Sequence, residues 1–479
     1  MDLQQLVLEQ AALIEQLRTR ITELEAEVVA LRATNASLQA TIVTPQKNSG
    51  NSSKPPSSDI VKPPKDTRPK GQGRSNGQKR KPGGQEGHKQ NLRKPFDASQ
   101  IDKTVELKLD ACPTCGGKLK ATNEPPKIHQ QVELVEKPFV VTEFQQTWSW
   151  CEHCQCYHCA DLPPEVEKSG LFGPQLIALT AWLKGRGHMS YTTMRDFFAD
   201  AMSLKVSRGF LAKQVRKASN AMAKSYAELV TQLPSEPHLH IDETGHKENG
   251  KRRWTWCVRA KEFTVFHIDP SRGSVVLEQL LGPDYAGIIS CDFWGAYRKF
   301  ERLTSVVLQF CWAHLIREIK FFAESKDKKI ANYGKRLLRY VRSMFSTIHD
   351  HGNISELAWK RRMNKHRRNI LKTSQRSVPD NKDAKNIAER LSKWQDDYFR
   401  FIEHNIAPTN NPGEQTIRKV VIDRKVTQGT RSDWGNRWQE RFWSILTTCE
   451  QQGRNVMTFL KSCVDAMIHG LAPPSLRHK

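Results

Sequence analysis

The chain has 479 residues, and Lys and Arg outnumber Asp and Glu 75 to 51, for a net charge of +24. That excess points to a polyanionic partner, because clustered Lys and Arg neutralise phosphates and release their counterions. No run of about 18 apolar residues exists to span a bilayer, and the N-terminus carries no cationic leader with an apolar h-region, so a soluble, cytoplasmic protein with its eleven cysteines reduced is expected.

Residues 1–43 carry a strict heptad, with Val7, Ile14, Ile21, Val28, Asn35 and Ile42 on one seam and Leu3, Leu17, Leu24, Leu31 and Leu38 on the other. β-branched residues at the first seam and Leu at the second favour a parallel coiled-coil dimer, with Asn35 fixing register. From Thr44 to Phe96 the composition turns to Pro, Gly, Ser, Asn and Lys, which cannot bury a core. This stretch reads as a disordered linker, a basic arm tracking phosphates, or both.

Cys112-Pro113-Thr114-Cys115 and Cys151-Glu152-His153-Cys154 are two C-x-x-C knuckles, and four thiolates so arranged suit tetrahedral zinc. Cys156 and Cys159 form another C-x-x-C, so the second knuckle could be shifted. A helical stretch follows, in which Tyr191 to Ala201 and a second helix capped by Ser207 form a candidate helix-turn-helix. Arg208, Lys213, Arg216 and Lys217 give the second helix a basic face, suited to a major groove or to solvent alone.

The period then shifts toward strands at 238–243, 253–259, 264–268 and 288–292. Asp242 follows Leu239 and Ile241, and alternation sets it with His240 on one face and Glu243 on the other, so Glu243 is expected to matter little to any site at Asp242. Asp292 closes the strand Ile288-Ile289-Ser290-Cys291, and Glu414 opens a helix after Asn411 and Pro412. Carboxylates at adjacent strand ends can share two Mg²⁺ ions about 4 Å apart, the arrangement phosphodiester chemistry uses. Each also has a plainer reading, as solvated strand ends for the two aspartates and as a capping-box acid for Glu414.

Several blocks together resemble the large transposase of the insertion sequence 66 family over nearly the whole length. They are the zipper, Gly83-Gly84-Gln85-Glu86-Gly87-His88, the knuckles, His240-Ile241-Asp242-Glu243-Thr244, Cys291-Asp292-Phe293-Trp294-Gly295-Ala296-Tyr297, Cys311-Trp312-Ala313-His314 and Asn410-Asn411-Pro412-Gly413-Glu414. Gly245 stands where a proline usually follows the first block and Gln415 where an arginine usually follows the glutamate; Arg418, one turn on, is the cation expected near that face.

The resemblance implies a DDE transposase with an α/β ribonuclease-H-like core, whose catalytic metal ligands are Asp242, Asp292 and Glu414 around a two-metal Mg²⁺ site. It also implies a helical insertion before the glutamate. The expected organisation is a coiled coil at 1–43, a basic linker at 44–96, a zinc domain at 97–165 and a helical, helix-turn-helix region at 166–234. The core follows at 235–320, interrupted by a basic helical insertion at 321–404 and completed at 405–479. Expected partners are the element ends and target DNA, a second copy of the chain or more, and accessory proteins of the same element. No membrane is expected, and the bound protein would sit on the bacterial nucleoid. A zipper and zinc-finger regulator without catalysis, or another ribonuclease-H-like nuclease, would use the same basic stretches; convergence of the three acids separates catalysis from regulation.

Overall fold

The computed structural model describes residues 3–43, 95–106, 114–116, 118, 128–132, 134–135 and 138–477. Most of the expected linker, including Gly83 to His88, and Cys112 lie outside the described residues. The chain divides into two compact units, residues 64–144 and the remainder. In the smaller unit the Gln130 amide brackets Phe96, accepting from its N–H at 2.7 Å and donating to its carbonyl at 2.9 Å.

In the larger unit, α1 (Leu3–Val43) is one continuous helix. Its described side chains, residues 13–35, are all exposed, including the seam residues Leu17, Ile21, Leu24, Val28 and Leu31. An antiparallel hairpin, β1 (Ser149–Cys151) with β2 (Cys156–His158), precedes a helical cluster. The cluster comprises α2 (Pro164–Ser169), α3 (Pro174–Gly185), α4 (Tyr191–Met202), α5 (Arg208–Ala221) and α6 (Ala223–Gln232). Proline opens α2 and α3, where its missing N–H costs nothing. The hydroxyls of Ser190 and Ser207 cap α4 and α5 by accepting from the amides of Thr193 and Phe210. Between them Ser203 turns the chain at φ 51°.

The central sheet has five strands in the order β5-β4-β3-β6-β7. β3 (His238–Glu248), β4 (Lys251–Arg259) and β5 (Thr264–Asp269) form an antiparallel meander. Its first turn is Asn249-Gly250, both at positive φ (46° and 79°), the pairing that follows strand twist. After α7 (Ser274–Leu281), β6 (Ile288–Cys291) lies parallel to β3; after α8 (Gly295–Leu303), β7 (Val307–Phe310) lies parallel to β6.

α9 (Trp312–Ala323) leads into α10 (Lys328–His349), α11 (Glu356–Gln375), α12 (Lys382–Lys393), α13 (Gln395–Phe399) and α14 (Phe401–His404). The chain then returns to the sheet with α15 (Asn411–Thr427), packed on β3 and β4, and α16 (Asp433–Gln451), packed on β5. α17 (Val456–His469) closes back on α3 and α5, so the helical cluster and the sheet share one apolar core.

Helices lie against both outer strands, α16 on β5 and α13 on β7. Along β5 the amides of Thr264, Phe266 and Ile268 donate to Thr448 Oγ1 (3.1 Å), Ser444 Oγ (2.9 Å) and Glu440 Oε1 (2.6 Å) of α16. Every second residue of a strand and every fourth of a helix advance about 6 to 7 Å, so the two rows stay in step. At β7, Gln309 accepts from the Phe401 amide at 2.8 Å and donates to the Tyr398 carbonyl at 3.3 Å.

Candidate active site

The β3–β6 register pairs His240 with Ser290, and two residues further on it leads to Asp242, midway along β3, and Asp292, just past the carboxyl end of β6, whose charge acts on Asp242. Alternation holds along β3: Leu239, Ile241 and Glu243 are buried, whereas His240 and Asp242 are half-buried on the opposite face. Asp242 Oδ1 accepts from the Glu243 amide at 2.9 Å and Asp292 Oδ1 from the Trp294 amide at 3.0 Å.

Glu414 is brought to this end by Asn410, which is buried and donates from Nδ2 to the Ile241 carbonyl at 2.7 Å. Asn410 Oδ1 lies 3.0 Å from His240 Nδ1, and its backbone N–H donates to Cys311 Sγ at 3.1 Å. A Cβ on Gly413 would come within 3.0 Å of the Asn410 side chain, so glycine lets the turn close. The far end of α15 is pinned as well. Gly429, at φ +91°, would strike the Lys247 carbonyl if it carried a Cβ, and the Thr430 amide donates to that carbonyl at 2.9 Å. Asn410 precedes α15 without a side-chain cap bond, so a capping box is not what holds Glu414.

The three carboxylates share one field. Burial first, and then the charges of Glu243, Asp292 and Glu414, raise Asp242 well above the ordinary carboxylate range. Burial and the Glu243 charge push Asp292 up to about 7, with Glu414 adding and Arg272 opposing. A folded-state pKa above the unfolded one contributes stability below about pH 4 that is lost as pH rises through about 7. A divalent ion bound between the carboxylates would substitute for the missing protons. Mg²⁺ is therefore expected to raise the melting temperature by several degrees more at pH 8 than at pH 5, and the difference should shrink in Asp292→Asn; an equal shift at both pH values would refute the assignment.

Three side chains to which the sequence reading gave no role also reach Glu414. Cys311 Sγ is 3.5 Å and His314 Nδ1 3.4 Å from its Oε1, and Arg317 Nη2 is 3.5 Å from its Oε2. Cys311 immediately precedes α9 and His314 follows one turn on, a spacing visible in Cys311-Trp312-Ala313-His314. Arg317, not the exposed Arg418, is the cation paired with Glu414. Asp423, further along α15, is tied to His188 at 2.7 Å and Gln439 at 2.8 Å, away from the carboxylates.

Glu243 is not the bystander that alternation suggested. Its buried carboxylate accepts from Arg272 Nη2 at 2.7 Å and from the Tyr297 hydroxyl at 2.6 Å. The Arg272 guanidinium lies over Trp254 and Trp294, 4.6 and 4.0 Å from the ring centroids.

Basic groups flank the site. A cleft of about 490 Å³ is lined by Gly245, Lys247, Arg252, Arg424 and Lys425, beginning three residues beyond Asp242 on β3. Arg424 spans Gly245, donating to its carbonyl and, at 3.2 Å, to Thr244 Oγ1. On α5, Arg208, Lys213 and Arg216 are exposed, with Arg216 over the Trp434 ring at 5.1 Å. Lys217 departs from the expected basic face: its ammonium donates to the carbonyls of Lys168 (2.9 Å) and Ser169 (2.7 Å) at the end of α2. α11 carries seven Lys or Arg against one Glu, with Lys360, Arg361, Arg362, Lys365 and Arg368 exposed.

Of the expected zinc ligands, Cys115 is exposed in the smaller unit, while Cys151 ends β1 and Cys154 sits in the turn after it. In that hairpin Cys154 Sγ lies 3.0 Å from Cys156 Sγ and 3.2 Å from His158 Nε2, and the latter two are 3.0 Å apart. His158 escaped the sequence reading because only the β1–β2 pairing turns it toward the thiols. Cys159 is 3.9 Å from the Gln146 amide. Among the described residues, no helix is long and apolar enough to cross a membrane.

A model described as a family of unknown function (DUF6444) matches residues 2–94. The chain is 21% identical over 407 residues to the uncharacterized protein y4hP of Sinorhizobium fredii (strain NBRC 101917 / NGR234), covering 75% of this chain and 71% of the relative. The model described as Transposase IS66 family matches residues 169–437, more than half of the sequence and the whole of the carboxylate site, and the chain belongs to that family of transposases.

Proposed function

We propose that the chain is a DDE transposase with a ribonuclease-H-like core, cleaving DNA at the ends of a bacterial insertion sequence and joining those ends to target DNA. The observation that carries this reading is the strand register that sets Asp242 beside Asp292, with Glu414 latched to the same end through Asn410. Two aspartates raised by burial and by neighbouring carboxylate charge, beside basic surface, fit a pair of Mg²⁺ ions, which take oxygen ligands. Such ions, when bound, activate the attacking oxygen and stabilise the leaving one.

The protein's own part is positional. Asp242, Asp292 and Glu414 hold the ions; Arg317 fixes one Glu414 oxygen, and Arg272 with Tyr297 fixes Glu243 behind the aspartates. In the first step water attacks a phosphorus at the element end and the 3′ oxygen leaves. In the second that 3′ hydroxyl attacks a target phosphorus and the target's 3′ oxygen leaves. The cleft at Lys247, Arg252 and Lys425, Arg208, Lys213 and Arg216 on α5, and the basic face of α11 are the phosphate contacts in this reading. A structural zinc ion in the cysteine-rich segment completes it, supported by the donors of Cys154, Cys156 and His158, which lie within 4.8 Å of one another. Accessory proteins of the element and binding on the nucleoid belong to the same proposal.

The test is incubation of the purified chain with labelled element ends and target DNA, with and without Mg²⁺. Mg²⁺-dependent nicking followed by joined products is the expected result. Nicking without joining would make the chain a nuclease, and end binding without nicking a regulator.

Self-association is assigned to α1, whose apolar seam is exposed over its described length. Removing residues 1–43 is expected to halve the sedimenting mass, since two cut ends need two active sites in one complex. An unchanged mass would reject the zipper.

A further inference from the structure

Cys311, His314 and Glu414 place a thiol, an imidazole and a carboxylate oxygen within 4.8 Å of one another, with Cys311 buried and the other two half-buried. Zinc binds sulfur at about 2.3 Å and nitrogen or oxygen at about 2.0 to 2.1 Å, so neighbouring ligand atoms of a tetrahedral site stand roughly 3.4 to 3.6 Å apart. The Cys311–Glu414 and His314–Glu414 separations, 3.5 and 3.4 Å, are edges of that size.

Two further observations point to a ligand. The buried Nδ1 of His314 has no hydrogen-bond partner among the described residues although it faces Glu414. The Asn410 N–H donates to Cys311 Sγ at 3.1 Å and so orients that sulfur beside Glu414. Both soft donors approach Oε1 of Glu414, while Arg317 occupies Oε2.

Mg²⁺ does not select sulfur and nitrogen ligands, whereas zinc and cobalt do. We propose that Cys311, His314 and Glu414 form a second metal site, for a zinc-type ion, that shares Glu414 Oε1 with the carboxylate cluster. An ion in this site withdraws the glutamate from the Mg²⁺ pair, so zinc switches the transposase off. The site stands on its own geometry; the sharing rests on the proposed role of Glu414.

The test uses the full chain with cobalt(II), and separately zinc, as probes. Cobalt titration of the wild type should show one more bound equivalent than Cys311→Ser or His314→Gln. Its thiolate-to-cobalt charge-transfer absorption should be smaller in Cys311→Ser, against a constant background from the exposed cysteine hairpin. Micromolar zinc should then slow Mg²⁺-dependent nicking by at least about tenfold in the wild type and far less in either variant, each measured against its own zinc-free rate. Equal cobalt stoichiometry and spectra in the wild type and both variants, with circular dichroism showing all three folded, would overturn the site. A cobalt difference without zinc inhibition would keep the site and remove the sharing. Absence of nicking under all conditions would count against the proposed catalysis and leave the cobalt result to decide the site.

Discussion

Asp242→Asn, Asp292→Asn and Glu414→Gln are each expected to lower nicking and joining by at least about a thousandfold, since metal ions supply several kcal/mol of transition-state stabilisation and each 1.4 kcal/mol is tenfold. The amide keeps the shape of the side chain but removes the anionic oxygen that an ion requires. Binding to the element ends should persist, because the proposed phosphate contacts lie on Arg and Lys. A second signature separates this from misfolding. The two aspartates are held in a field that disfavours their charge, so making either neutral should leave the metal-free melting temperature at pH 8 unchanged or higher. Full strand transfer by Glu414→Gln would take that residue out of the site.

Glu243→Gln should act on stability instead. The carboxylate is buried and paired with Arg272 and Tyr297, and removing one partner of a buried pair costs on the order of 3 kcal/mol because the other charge is left without compensation. Gln retains some hydrogen bonding, so the loss should lie at or below that figure and should read out as a lower urea midpoint. The same change removes a charge that raises both aspartates, so the pH above which Mg²⁺ stabilises the protein should move down. An unchanged midpoint would mean that the contacts of Glu243 with Arg272 and Tyr297 contribute nothing to stability.

That contrast shows where sequence reasoning stops. Alternation along β3 gave the face of Glu243 correctly, because a strand's period is local. Its partners come from α8 and from the loop before α7, which no local pattern specifies. The strands β3, β4, β5 and β6 were legible in their β-branched and aromatic runs. β7 escaped, although it is as short as β6 and buried in the same pattern; Gln309 interrupts its apolar run. The Ser207 cap fixed the start of α5, yet the capture of Lys217 by α2 depends on a packing contact nearly fifty positions away in sequence. Glu414 could be named from its block, whereas its placement through Asn410 spans 169 positions to Ile241.

The helices against the outer strands of the central sheet limit how copies of this chain can meet. An open edge strand offers unpaired amides and carbonyls to any other strand, and proteins commonly join by extending one sheet into the next. Here the outward amides of β5 are spent on Thr448, Ser444 and Glu440, and α13 packs against β7. A complex that holds two DNA ends together is therefore expected to use surfaces other than this sheet, such as the exposed seam of α1, and the nucleic acid itself. Its geometry would then be free to change as strands are cut and exchanged, with no intermolecular ladder to break.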